Sequence, residues 1–138
     1  MKNILKLFPL FAFTFFFIYS CNDTGPTIGN NSGSGGNHAP EIPKNPFPHN
    51  DTTGAPRLVT VSWTCEDPDE GDTVRFRIYM ENNNPPTLQL VDSLTASSFF
   101  VPFLLDSNRV YYWRVIAKDN HGAVTSGSTW KFRTGSTD

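Results

Sequence analysis

A chain of 138 residues has the length of one ordinary domain, and its 11 basic against 13 acidic side chains give a formal charge of −2. That balance excludes a general nucleic-acid binder, which carries a basic excess. Gly and Pro crowd between Gly25 and Pro56 and at later turns, while the rest is rich in Val, Phe, Tyr, Trp and Thr, which suit half-buried strands; no sustained helical stripe follows Ser20.

Lys2 and Lys6 open the chain, and Leu7 to Tyr19 is a nearly continuous apolar run of 13 residues that ends at polar Asn22 and Asp23. A bilayer-spanning helix needs about 20 apolar residues, so the run is too short for one. A charged start, a short apolar core and a small residue before the break predict a secretory signal over residues 1–20. The segment Ile18-Tyr19-Ser20-Cys21 resembles the lipobox of bacterial lipoproteins. That resemblance implies a diacylglyceryl group on the Cys21 sulfur, cleavage just before Cys21 and acylation of the new amine. Two or more acyl chains anchor stably where a single one binds marginally. Loss of Lys2 and Lys6 leaves 9 basic and 13 acidic residues, a net charge of −4. With Cys21 lipidated, Cys65 is left as a lone thiol, expected to be a small buried hydrophobe without reactivity.

Residues 21–38 read as a tether. Asn22 to Asn37 holds Gly25, Gly29, Gly33, Gly35 and Gly36 among Ser, Thr and Asn, with little to bury. A coil of this kind reaches about 20–25 Å. Pro40, Pro43, Pro46 and Pro48 then predict an extended edge segment, because Pro cannot donate to a ladder.

Period-two alternation follows. Val59, Val61, Trp63 and Cys65 share one face of Leu58 to Cys65, and Val74, Phe76, Ile78 and Met80 share one face of Val74 to Met80. Tyr111, Trp113, Val115 and Ala117 share one face of Val110 to Lys118, and Trp130 and Phe132 one face of Thr129 to Thr134. Thr87 to Val91 and Ser98 to Val101 make shorter strands. Asp67-Pro68-Asp69-Glu70-Gly71, Asn82 to Pro86, Asp106-Ser107-Asn108 and Asp119-Asn120-His121-Gly122 are the turns. This pattern is that of an all-β sandwich whose core holds Trp63, Phe76, Tyr111, Trp113, Val115, Trp130 and Phe132.

From about Ala39 to Thr134 the residues resemble a fibronectin type III domain. Trp63 sits where that family has its strand-B Trp, and Phe76 and Ile78 fit strand C. Leu105, six residues before Tyr111, matches the Leu that precedes the corner tyrosine. Tyr111 to Ala117 matches strand F, and Trp130 to Thr134 matches strand G. The Trp63-to-Cys65, Asp67-to-Asp69 and Ala117-to-Asp119 segments are similar to those of type III domains in bacterial envelope lipoproteins. The resemblance implies a seven-stranded, immunoglobulin-like sandwich over residues 39–135 with a short tail at 136–138, and no particular activity.

Two constellations stand out. Glu66, Asp67, Asp69, Glu70 and Asp72 crowd the B–C loop, and Asp119 opens the F–G loop, which shares that end of the sandwich. Asp67, Asp69, Asp72 and Asp119 would offer a hard cation such as Ca²⁺ the oxygen ligands it needs; the alternative is a polar turn whose carboxylates accept from local amides. The second constellation is the outward face of strands C, F and G, with Arg75, Arg77, Tyr79, Tyr112, Arg114, Lys118, Lys131 and Arg133. Six of the nine basic residues left after cleavage are there. Arg and Tyr favour interfaces, so an acidic glycan or an acidic patch on an envelope protein is the expected partner, beside the membrane reached through the lipid. The plainer alternative is a solubilising surface. An imagined His121, Asp119 and Ser126 triad lacks any nucleophile motif, and no enzymatic constellation is visible. The expected protein is a non-catalytic lipoprotein module of the cell envelope, or a structural subunit of an envelope or surface glycan-handling complex.

Overall fold

Alternating apolar side chains can leave water only where a second layer covers them, and two sheets of unequal size supply that cover. A computed structural model describes residues 36–136. The expected signal segment, Cys21, the tether up to residue 35 and residues 137–138 lie outside the described residues. The strands are β1 (Lys44–Phe47), β2 (Thr52–Ala55), β3 (Thr60–Thr64), β4 (Arg75–Glu81), β5 (Gln89–Leu94), β6 (Ser98–Phe100), β7 (Val110–Lys118), β8 (Val124–Ser126) and β9 (Trp130–Thr134). The small sheet has the order β1-β3-β6, and the large one β2-β9-β7-β4-β5 with β8 on the upper part of β7. Among the described residues there is no helix.

Nine short strands replace the expected seven, and the differences have local causes. The closing segment is split: β8 pairs with β7 at Ile116 to Lys118, while β9 pairs with β7 at Val110 to Trp113. β2 adds a parallel edge to β9. β5 runs later than the predicted Thr87 to Val91 because the β4–β5 register shifts, with Ser93 at a φ of 60°. The Pro-rich segment is the predicted edge: β1 pairs only with β3.

The layers meet in aromatic rings. Trp63 of the small sheet packs edge-on to Phe76 at 5.2 Å and to Trp113 at 6.5 Å, both from the large sheet. Trp113 touches its cross-strand neighbour Trp130 at 4.8 Å. Val59, Val61, Ile78, Met80, Val115 and Phe132 complete the buried core, with Val101 and Leu105 closing one end. Tyr111 departs from expectation. It is only partly buried, stacked on Phe132, and its hydroxyl accepts from the Asp106 backbone N–H at 3.0 Å. A buried phenol needs such a partner, which draws the ring to the rim. Cys65 also departs: β3 ends at Thr64, so its side chain lies at the sandwich edge, half-buried.

Candidate functional site

The large sheet turns its inward row to the core, so the pleat sends Arg75, Arg77 and Tyr79 of β4, Tyr112, Arg114 and Lys118 of β7, and Lys131 and Arg133 of β9 to the opposite face. All eight are exposed or half-exposed on it. Register fixes their neighbours: Arg75 lies across from Lys118, Tyr79 from Arg114 and Tyr112 from Lys131. The Arg114 guanidinium sits 4.9 Å from the centroid of the Tyr79 ring, a stacked cation on an aromatic face. The Nε atoms of Arg77 and Arg114 are covered and have no hydrogen-bond partner among the described residues.

Part of this charge is neutralised by residues that the sequence pattern did not single out. Arg77 is paired to Asp92 of β5 at 2.8 Å, and Lys131 to Asp51 at 3.0 Å. The hydrogen bond from Arg77 holds the Asp92 carboxyl below the ordinary carboxylate range. Arg133 donates to Asn108 Oδ1 at 3.2 Å. The upper end of the face opens into a cleft of about 470 Å³, whose lining includes Arg75, Arg77, Lys118, Asp92, Ser93 and Ile116.

The acidic end is organised differently from the expectation. Oxygens of Asp67, Asp69 and Asp72 come within 4.8 Å of one another. Asp119 does not join them. Its Oδ1 accepts from the backbone N–H groups of His121, Gly122 and Ala123 at 2.9, 2.6 and 2.8 Å, and its Oδ2 from Asn37 at 2.8 Å. This side chain caps the β7–β8 turn, where Gly122 takes a φ of 100°. The oxygens of the other three are partly used as well. Asp69 takes the His38 ring and backbone N–H at 2.8 and 2.6 Å, Asp72 takes the His121 ring at 2.9 Å, and Asp67 accepts from Asp69 N–H at 2.9 Å. Asp67 Oδ2 is buried and has no hydrogen-bond partner among the described residues. His38 and Asn37 tie the start of the domain to its two acidic loops, and His121 joins one loop to the other. His121 is thereby turned to Asp72 while Asp119 caps its own turn, so the imagined triad is not assembled.

Comparison with solved structures bears on this architecture. The 6th fibronectin type III domain from human fibronectin type III domain containing protein 3 is similar over 77% of this chain and 95% of its own, at 20% identity and a TM-score of 0.56. A Fn3-like protein from Clostridium thermocellum is similar over 73% of this chain and 99% of its own, at 14% identity and a TM-score of 0.52. The fold is that of a fibronectin type III domain. Streptomyces avermitilis alpha-L-rhamnosidase, complexed with L-rhamnose, contains a similar sandwich matched over 70% of this chain at 16% identity and a TM-score of 0.56. The present chain spans only 11% of that enzyme's length. No protein-family model and no curated protein matches the chain.

In this fibronectin type III fold the lone described thiol is quiet. Burial pushes Cys65 up to about 11, with Glu41 and Asp67 adding to the shift, and its Sγ lies 3.2 Å from the Glu41 carbonyl. A thiol held protonated is a poor nucleophile. The outward face of β4, β7 and β9 gathers Arg and Tyr side chains, residue types that favour interfaces.

Proposed function

We propose that the protein is a lipid-anchored, non-catalytic binding or adhesion module of the bacterial cell envelope, carried on a flexible tether from Cys21 and using the outward face of β4, β7 and β9 as its contact surface. The observation that carries the reading is uneven charge. A chain of net charge −2 gathers Arg75, Arg77, Arg114, Lys118, Lys131 and Arg133 on one face of one sheet, with Tyr79 and Tyr112 among them. Planar guanidinium groups and tyrosine rings suit carboxylate-bearing partners. The lipobox at Ile18 to Cys21 supports the anchor. A second reading, a spacer or structural subunit with no ligand of its own, is favoured by the Arg77–Asp92 and Lys131–Asp51 pairs, which satisfy two of the cations internally.

Two measurements test this. Cys21→Ala should abolish fatty-acid labelling and release the protein from membranes; persistence of both overturns the lipoprotein reading. Arg114→Glu with Arg133→Glu should leave the circular dichroism spectrum intact while lowering association of the detergent-solubilised chain with envelope extract. Rising salt should weaken the wild-type contact, since exposed charges are screened beyond about 8–10 Å at physiological ionic strength. Full association of the double variant at low salt would leave the spacer reading in place.

A further inference from the structure

Arg75 and Lys118 face each other directly across β4 and β7. Like charges in opposed positions of an antiparallel pair are destabilising. Among the described residues neither has a carboxylate partner; Arg75 has only the Ser93 carbonyl at 3.4 Å. Arg77, two residues along β4, is matched by Asp92. Arg75 and Lys118 both line the cleft of about 470 Å³ at this end of the face. That size takes a small ligand. Its surface is mixed: Ile116 and the 53% exposed Val124 supply apolar area, and Asp92, Ser93 and Asn120 supply donors and acceptors. Asp119, which also lines it, has Oδ1 committed to its own turn and Oδ2 to Asn37.

We infer that this cleft is a binding site for an acidic sugar residue of a polysaccharide, with the carboxylate held between Arg75 and Lys118. The inference rests on the binding-module reading above and narrows it to one ligand class. The anion separates the two cations electrostatically and relieves their repulsion. The apolar C–H face of a pyranose ring covers Ile116 and Val124, and its hydroxyls meet Asp92, Ser93 and Asn120. A bare inorganic anion would use only the cations, and a neutral sugar only the remainder.

The test is calorimetric titration of the full chain in neutral detergent micelles with a trisaccharide of galacturonic acid, with neutral galactotriose and with inorganic phosphate. The acidic trisaccharide should bind, and both controls should bind at least about tenfold more weakly, the scale of one lost charge-assisted contact. Arg75→Ala with Lys118→Ala should weaken the acidic trisaccharide by about tenfold or more on the same grounds, while Lys44→Ala, on β1 of the other sheet, leaves it unchanged. Lys118→Glu should abolish binding yet raise the melting temperature of the ligand-free chain, because it replaces a repulsive pair with an attractive one. Equal binding of phosphate or of galactotriose, no binding of the acidic trisaccharide, an unaffected Arg75→Ala/Lys118→Ala variant or a lowered melting temperature for Lys118→Glu would each overturn the site. If envelope association depends on Arg114 and Arg133 but the trisaccharide does not bind, the contact-face reading stands and the sugar site alone fails.

Discussion

Trp63 is 3% exposed, and its indole N–H finds no acceptor among the described residues. Its contribution therefore comes from the ring, which spans the gap between the sheets and touches Phe76 and Trp113. Trp63→Ala should cost about 3–5 kcal/mol in a denaturant titration, since a large core ring leaves a cavity that its neighbours cannot fill. Trp63→Phe should cost much less, as it keeps most of the ring contact and removes an unpaired donor. A near-zero loss for the Ala variant would place Trp63 outside the core. The inward position of this residue was legible from alternation alone, because Val59, Val61 and Trp63 repeat every second residue. The partial exposure of Tyr111 was not, since it depends on where the Asp106 N–H lies across a turn. Nor was the role of Asp119, which among several nearby carboxylates reads like a ligand until the three N–H groups of its own turn are seen around it.

At the level of the strands, legibility follows length. β7 was readable end to end because nine residues give the period-two pattern room to repeat, and its bounds coincide with Val110 and Lys118. β8 has three residues and β2 four, with a Gly inside, too few to show a period. Both exist because a neighbour offers free backbone groups: β8 lies along β7, and β2 along β9. The same limit hid the counter-ions of the candidate face. The eight basic and aromatic residues could be placed from alternation in β4, β7 and β9, but Asp92 and Asp51 come from a bulged strand and a loop that have no legible period. The break between β8 and β9 has a steric signature at Gly127. Its N–H donates to the Val115 carbonyl at 2.8 Å, and a Cβ there would lie 2.8 Å from that same oxygen and 3.3 Å from Pro43 Cβ. Backbone on one side and a packed ring on the other leave little room to yield. Gly127→Ala should destabilise by about 1–3 kcal/mol, the usual range for overpacking, with the midpoint of chemical unfolding as the readout. An unchanged midpoint would mean that β7 and the Pro-rich segment can separate there without cost.

Across the whole domain the charges segregate. Cations gather on the outward face of the large sheet, and carboxylates gather at the end where the chain enters the domain. There the contacts of Asn37 and His38 join the start of the domain to the two acidic loops. These contacts are titratable, with opposite signs. Hydrogen bonds from His38 hold the Asp69 carboxyl below its ordinary 3.8, and the bond from Asn37, with those from the turn amides, does the same for Asp119. Partnership with Asp69 raises His38 above its ordinary 6.5, and partnership with Asp72 raises His121. A depressed carboxyl contributes stability that is present above its unfolded value and lost as pH falls through the lower folded value. A raised histidine contributes stability that is present below its unfolded value and lost as pH rises through the higher folded one. Both contributions are present in full together only between about 3.8 and 6.5. Glu81 and Asp92 are depressed as well, by hydrogen bonds from Thr87 and Arg77 respectively, which steepens the acid side. The histidine side is shallower, because the His38 and His121 side chains are 65% and 55% exposed and salt screens such pairs. The melting temperature should therefore be highest in weakly acidic buffer, fall steeply below the carboxylate range and decline gently as the medium becomes neutral. His38→Gln with His121→Gln should flatten the neutral-side decline and remove only the Asp69 share of the acid side, because Asn37 and the turn amides still hold Asp119 and the partners of Glu81 and Asp92 are untouched. A neutral-side decline that is unchanged in that variant would show that the His38–Asp69 and His121–Asp72 pairs do not stabilise this end of the domain.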